Sequence, residues 1–124
     1  MSVDKKVVLD NLQFNNPESV IRSLSKAEQE YNEILHGISA ELTEKRIQEA
    51  KIVANAEYAI RSNGHKMTEG YISCALECDP DVEAIRSAVK RLDNEYRYYK
   101  ACQDSVIRLS GLFSTYLKSL YHDM

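Results

Sequence analysis

Residues 79–121, DPDVEAIRSAVKRLDNEYRYYKACQDSVIRLSGLFSTYLKSLY, are the stretch of sequence that decides the fold. Asp79 is placed to cap a helix with its carboxylate, and Pro80 suits the first helical position. No proline follows, and apolar residues recur mainly at steps of three and four: Val82, Ile85, Val89, Leu92, Tyr96, Tyr99, Val106, Leu109, Phe113, Leu117 and Leu120. A helix over this stretch would be ~65 Å long, so we expect another long helix beside it.

The other long helix is predicted over residues 17–62, with Asn16 as its cap and Asn63–Gly64 as its stop signal. Its apolar stripe advances by three and four residues through Val20, Leu24, Ala27, Tyr31, Ile34 or Leu35, Ile38 and Leu42. The five-residue step from Leu42 to Ile47 breaks this register in the manner of a stutter. The stripe is then expected to continue through Ile47, Ala50 and Val53 or Ala54.

Two further segments complete the chain. A short helix is predicted over residues 69–78, capped by Thr68 and ended by Asp79–Pro80, with Tyr71, Ile72, Ala75 and Leu76 on one side. Residues 1–16 are an N-terminal arm. The apolar residues of the arm are Val7, Val8, Leu9, Leu12 and Phe14. We expect the arm to dock on a neighbouring chain, to pack on its own chain, or to remain partly disordered.

The predicted fold class is therefore all-α. Residues 17–124 form a long antiparallel helical hairpin with a short corner helix, with its long helices at 17–62 and 80–121. Because two helices alone leave apolar surface bare, several copies are expected to assemble as an oligomeric, coiled-coil-like bundle. The candidate interface residues are Leu24, Tyr31, Ile38, Leu42, Leu92, Tyr96, Tyr99, Val106, Phe113 and Leu117.

The polar residues Gln103 and Ser110 fall on one continuation of the stripe in the last helix. If they are buried, they fix the helix register or the oligomer number at some cost in stability. Alternatively, the seam shifts to Cys102, Leu109 and Tyr116, and both polar residues are solvated. Periodicity alone leaves these two alternatives open.

Length and composition narrow the class of protein. The chain has 124 residues and a formal charge of −3, which fits one domain and argues against a strongly basic nucleic-acid coat. No apolar run is long enough to span a bilayer, and the start MSVDKK lacks the apolar region of a signal peptide. Three cysteines, an odd number, favour a reducing compartment, so a cytoplasmic location is expected.

The sequence shows no convergent set of acid, base and nucleophile, so we expect no enzyme, no catalytic residue and no cofactor. Cys74 and Cys78 lie four residues apart on the short helix, and with His65 and Cys102 they would offer ligands for zinc. Core packing is the commoner role of free cysteine, so we expect no metal site and buried thiols.

The candidate functional residues are basic and aromatic. Single-stranded nucleic acid is bound by tyrosines that stack on bases and by lysines and arginines that hold phosphates. The candidates are Lys51, Arg61, His65, Lys66, Arg86, Lys90, Arg97 and Tyr98. The alternative is that these charges only solvate the helix surface and that Tyr96 and Tyr99 belong to the core.

The order of these segments resembles a known family. A long amphipathic helix is followed by the corner RSNGHKMTEGY (61–71), the acidic break CDPDVE (78–83) and the tyrosine-rich helix YRYYKACQDSVIRLSG (96–111). Over roughly residues 25–121 the chain resembles small helical proteins encoded near recombination genes in tailed bacteriophages, including the UvsY-type recombination mediators.

The resemblance implies a helical homo-oligomer without catalytic activity, which binds single-stranded DNA and assists recombinase loading onto strands covered by single-strand-binding protein. Its location would be the host cell cytoplasm. UvsY-type proteins carry basic DNA-contacting residues late in the first long helix, where this chain has Asn55 and Glu57 between Lys51 and Arg61. The alternative function is a helical protein-interaction module, an accessory or inhibitor of a host or phage protein, without nucleic-acid binding.

Overall fold

The computed structural model describes residues 16–62 and 68–122, with the side chains as far as residue 120. This part of the chain contains three helices and no strand, so the all-α class is confirmed. They are α1 (Pro17–Arg61), α2 (Glu69–Cys78) and α3 (Pro80–His122). Within the described residues, no helix combines the length and the apolar character needed to cross a membrane.

Each helix begins at a side-chain cap that the sequence predicts. Asn16 Oδ1 accepts the Ser19 N–H at 3.3 Å, and Thr68 Oγ1 accepts the Tyr71 N–H at 3.2 Å. Asp79 Oδ1 accepts the N–H groups of Asp81 and Val82 at 2.9 and 3.2 Å. These bonds satisfy backbone donors that have no partner inside the helix, which is why the helices start where they do.

The chain divides into two compact units, and the described part of the first unit consists of residues 16–37 and 96–122. Its core joins the beginning of α1 to the second half of α3. The buried members are Val20, Leu24, Ala27, Tyr31, Cys102, Val106 and Phe113. Burial of this cluster removes large apolar side chains from water and supplies the main stabilising term of the unit.

Gln103 is the buried polar side chain of the described residues, at 4% exposed. Its Nε2 donates to Asn32 Oδ1, and its Oε1 accepts from Lys100 Nζ at 3.2 Å. Cys102 is buried as well, whereas Ser110 is half-buried and Tyr116 is exposed. Neither predicted alternative for the buried side of α3 is therefore right as stated. Cys102 and Gln103 are both buried, and Gln103 has hydrogen-bond partners within its own chain.

The second unit comprises residues 38–95. Its core joins α2 to the start of α3 and to the second half of α1: Ile72, Leu76 and Val82 are buried and pack against Ile52, Val53, Ala56 and Ile60.

The expected stutter after Leu42 is wrong, because Ile47 and Ala50 are exposed. A five-residue step turns a helix by about 140°, which places Ile47 far from Leu42 around the axis. The covered side instead continues at steps of three and four through half-buried Lys45 and Glu49 to Val53.

Two cysteines also differ from expectation. Cys74 and Cys78 are exposed, and only Cys102 is buried. In the ten-residue helix α2, only Ile72 and Leu76 are buried. Cys74 follows Ile72 by two residues and Cys78 follows Leu76 by two residues, a rotation of about 200° that places both cysteines on the opposite side of the helix. Tyr71 is expected on the apolar side but is exposed, because the buried side of α2 is only wide enough for Ile72 and Leu76.

Most of the residues predicted to join copies of the chain are buried within one copy. The buried ones are Leu24, Tyr31, Ile38, Leu42, Leu92, Val106 and Phe113, and the half-buried ones are Tyr96, Tyr99 and Leu117. The hairpin arrangement and the oligomer stay predictions.

Candidate nucleic-acid interface

In the second unit, α1 presents an exposed face that carries Lys51, Tyr58 and Arg61. Lys51 and Tyr58 are seven residues apart, about two helical turns, so their side chains project in nearly the same direction. Val53, Ala56 and Ile60 lie on the opposite side of the helix and face the core, which keeps the Lys51–Tyr58 face in solvent. Tyr58 is 75% exposed, so most of its ring is open to a planar ligand.

Arg61 is held by two carboxylates of the same unit. Its Nη2 donates to Glu57 Oε1 at 2.9 Å and to Glu69 Oε1 at 3.0 Å, and its Nε also donates to Glu57. The hydrogen bonds with Glu69 and Glu57 raise the pKa of the Arg61 guanidinium. Arg61 therefore ties the end of α1 to the start of α2, and a phosphate would have to share this guanidinium with the two carboxylates.

Arg86 and Lys90 are exposed on the part of α3 that belongs to the second unit. They border a shallow depression of about 260 Å³, together with Glu77, Glu83 and Val82. The two acidic side chains lower the positive potential over this depression, so it suits a weak contact with a single phosphate better than a strong anion site.

Arg97 and Tyr98 lie in the first unit, where Tyr98 is exposed. The Tyr98 ring meets Tyr99 edge to face, with ring centroids 5.2 Å apart, and Tyr99 in turn lies 6.4 Å from the buried Tyr31. Tyr98 is 61% exposed, so part of its ring is accessible from solvent. An accessible aromatic ring is the group on which a base of single-stranded nucleic acid can stack.

The structure thus divides the sequence-based candidates. Lys51, Arg61, Arg86 and Lys90 belong to the second unit, whereas Arg97 and Tyr98 belong to the first. His65 and Lys66 lie outside the described residues.

Sequence reasoning missed Tyr58, because the search followed clusters of basic residues close together along the chain. The signal was present as spacing: Tyr58 follows Lys51 by seven residues and precedes Arg61 by three, which places all three on one side of a helix. An exposed aromatic ring close to cations combines the two kinds of group that bind single-stranded nucleic acid.

The wider cleft of the second unit has about 620 Å³ of space. It is lined by alanines and isoleucines and by four polar or charged side chains: Lys45, Asn55, Asp79 and Asp81. The Asp79 carboxylate already caps α3. Among residues 16–62 and 68–120, no group of histidine, cysteine, aspartate and glutamate side chains is arranged to hold a metal ion.

Among the described residues, the candidate surface consists of exposed tyrosines and cations carried by α1 and α3. Comparisons of the chain with protein-family models, with curated proteins and with solved structures find no match.

Proposed function

We propose that the protein is a non-enzymatic recombination accessory protein that binds single-stranded DNA as a homo-oligomer and assists recombinase loading. The observation that carries this proposal is the exposed Tyr58 ring on the same face as Lys51 and Arg61. The resemblance to UvsY-type mediators supports it, and it would place the protein in the cytoplasm of a phage-infected host cell beside the recombinase and the single-strand-binding protein.

The proposed contacts are individually weak. Tyr58 and Tyr98 stack on bases, and Lys51, Arg86 and Arg97 contact phosphates. The formal charge of −3 and the two carboxylates on Arg61 limit the attraction that one chain exerts on DNA. A homo-oligomer repeats every contact, and linked weak sites gain affinity through their high effective concentration.

The apolar surface that one chain leaves exposed supports self-association. Tyr96, Tyr99 and Leu117 are half-buried, and Ile107 is exposed. The molar mass measured by light scattering at increasing protein concentration tests this part. A mass that stays at 14.2 kDa, the mass of one chain, would exclude the homo-oligomer.

The direct test of DNA binding is fluorescence anisotropy with labelled oligo-dT at two salt concentrations. Tyr58→Ala removes a stacking ring, which is worth about 1–3 kcal/mol per base, so the Kd should rise roughly 5- to 150-fold. Tyr58→Phe should keep most of the affinity, because the ring remains. Tyr71→Ala is the matched control, since Tyr71 is 57% exposed but lies on α2.

Binding of the unaltered protein should weaken steeply with added salt, because phosphate contacts release counterions. Equal effects of Tyr58→Ala and Tyr71→Ala would remove the α1 face from the interface. Absence of binding at low salt and micromolar protein would reject the proposed function as a whole.

A second candidate function is a protein-interaction module, an accessory or inhibitor of a host or phage protein. Ile47 favours it: this side chain is exposed and lies about one turn before Lys51 on the same face of α1. A branched apolar side chain adds nothing to a phosphate contact but suits a protein interface.

Capture of partners from nuclease-treated host lysate by the unaltered protein and by Ile47→Ser separates the two functions. A partner that survives nuclease and is lost with Ile47→Ser supports the interaction module. A partner that disappears with nuclease treatment supports nucleic-acid binding.

A further inference from the structure

The end of α3 carries an apolar stripe that the described part of the chain leaves open. Leu112, Tyr116 and Leu120 are 63%, 53% and 45% exposed. They are spaced by four residues, so they lie on one side of the helix within the first unit. Three large neighbouring side chains at these exposures present on the order of 300 Å² to water, a contiguous patch rather than scattered surface residues.

The first unit also contains the point where the N-terminal arm enters α1. Val20, in the first turn of α1, belongs to the same buried cluster as Phe113, and the half-buried Leu117 packs against that cluster. Phe113 and Leu117 are the direct neighbours of Leu112 and Tyr116 in the sequence. The beginning of α1 therefore packs against the same part of α3 that carries the exposed stripe.

The arm has both the reach and the composition to cover this stripe. The stripe spans eight residues of helix, or ~12 Å, whereas residues 7–15 reach up to ~30 Å when extended. Within residues 7–14, Val7, Val8, Leu9, Leu12 and Phe14 are apolar. A chain segment attached so close to its target binds at a high effective concentration, which a second molecule lacks.

The charges of the two partners are complementary. Asp10 is the single charged residue of the segment 7–14. Arg108 is exposed about one turn before Leu112, and the structure gives it no ion pair among the described residues. The arm thus brings one carboxylate to a stripe bordered by one guanidinium.

We propose that residues 7–14 of the arm dock on the Leu112–Tyr116–Leu120 stripe of their own chain. This contact stands apart from DNA binding, since it uses none of the candidate DNA-contacting residues. It gives the apolar segment of the arm a place to be buried.

Photo-crosslinking of the full chain tests this contact directly. Tyr116 is replaced by p-benzoylphenylalanine, which keeps an aromatic ring at an exposed position, and the products are separated by mass and mapped by peptide sequencing. We expect a product with the mass of one chain whose crosslink joins position 116 to residues 7–14. The same photo-reactive residue at Tyr71, in the second unit, should give no such product.

Two paired variants of the arm test its chemistry. Leu12→Asp combined with Phe14→Asp should abolish the crosslink, whereas Asn11→Asp combined with Gln13→Asp adds the same charge at polar positions and should retain it. A crosslink from position 116 to another copy of the chain would overturn the proposal. So would a product that joins position 116 only to segments other than the arm, or equal crosslinking in both double variants.

Discussion

The hydrogen bond between Asn32 and Gln103 gives the sharpest test of how the first unit is held together. Gln103 is buried, and its amide donates to the side chain of Asn32, which itself is exposed on α1. Asn32→Ala therefore leaves a buried amide donor without its acceptor. Gln103→Leu instead removes the buried polar group and fills its place with an apolar side chain of similar size.

The two substitutions should differ in magnitude although they break the same bond. An unsatisfied buried donor costs about 1–3 kcal/mol, whereas replacing a buried hydrogen-bonding group by an apolar one of the same shape is nearly neutral. Alanine is favoured over asparagine within a helix by about 0.5 kcal/mol, which offsets part of the loss in Asn32→Ala. Asn94→Ala, at an exposed position of α3, measures this helix term alone.

Urea denaturation at one fixed protein concentration provides the measurement. Relative to Asn94→Ala, Asn32→Ala should lower the free energy of unfolding by about 1–3 kcal/mol. Relative to the unaltered protein, Gln103→Leu should change it by less than about 0.5 kcal/mol. The double variant should resemble Gln103→Leu, because no buried donor is left. If Gln103→Leu proves more destabilising than Asn32→Ala, the amide contributes through something other than this bond.

Two further stability predictions follow from burial and capping. Tyr31→Ala should lower the free energy of unfolding by about 3–5 kcal/mol, because this ring is fully buried, whereas Tyr71→Ala should cost less than about 0.5 kcal/mol; similar urea midpoints for the two would contradict the assigned core. Asp79→Ala should lower the free energy of unfolding by about 1 kcal/mol, because it removes the cap of α3. Asp81→Ala, at the second residue of α3, should lower it by less. A smaller loss from Asp79→Ala than from Asp81→Ala in thermal or urea unfolding would refute the capping role.

Local sequence signals predict much of the helical structure. Each helix start can be predicted because a cap acts on backbone groups only two or three residues away; the caps lie at Asn16–Pro17, Thr68 and Asp79–Pro80. The stripe from Val20 to Tyr31 is equally accessible to prediction, because one face of a helix repeats with a fixed period.

Interactions between distant residues are harder to read. The hydrogen-bond partner of buried Gln103 is Asn32, 71 residues earlier in the chain, and periodicity carries no information about such a partner. The exposure of Ile47 is likewise hidden from the sequence, because an apolar residue is expected on the stripe, whereas the aliphatic stems of Lys45 and Glu49 can cover that side of the helix.

For the candidate interface, clustering along the sequence identifies cations but not their counterions. The link between Arg61 and Glu69 arises only when the start of α2 lies beside the end of α1, and residue spacing does not predict it. Tyr58 was overlooked because its cationic neighbours are adjacent around the helix rather than along the chain.

Asp79 has a practical consequence for anyone who wishes to engineer this chain. Its N–H donates to Leu76 O at 3.2 Å, its carbonyl accepts from Glu83 N–H at 3.0 Å, and its carboxylate caps α3, so a single residue serves as the entire connection between two helices. A junction of one residue cannot absorb an insertion. An affinity tag, a reporter or even one extra glycine at this point would separate Leu76 from Val82, which belong to the same buried cluster.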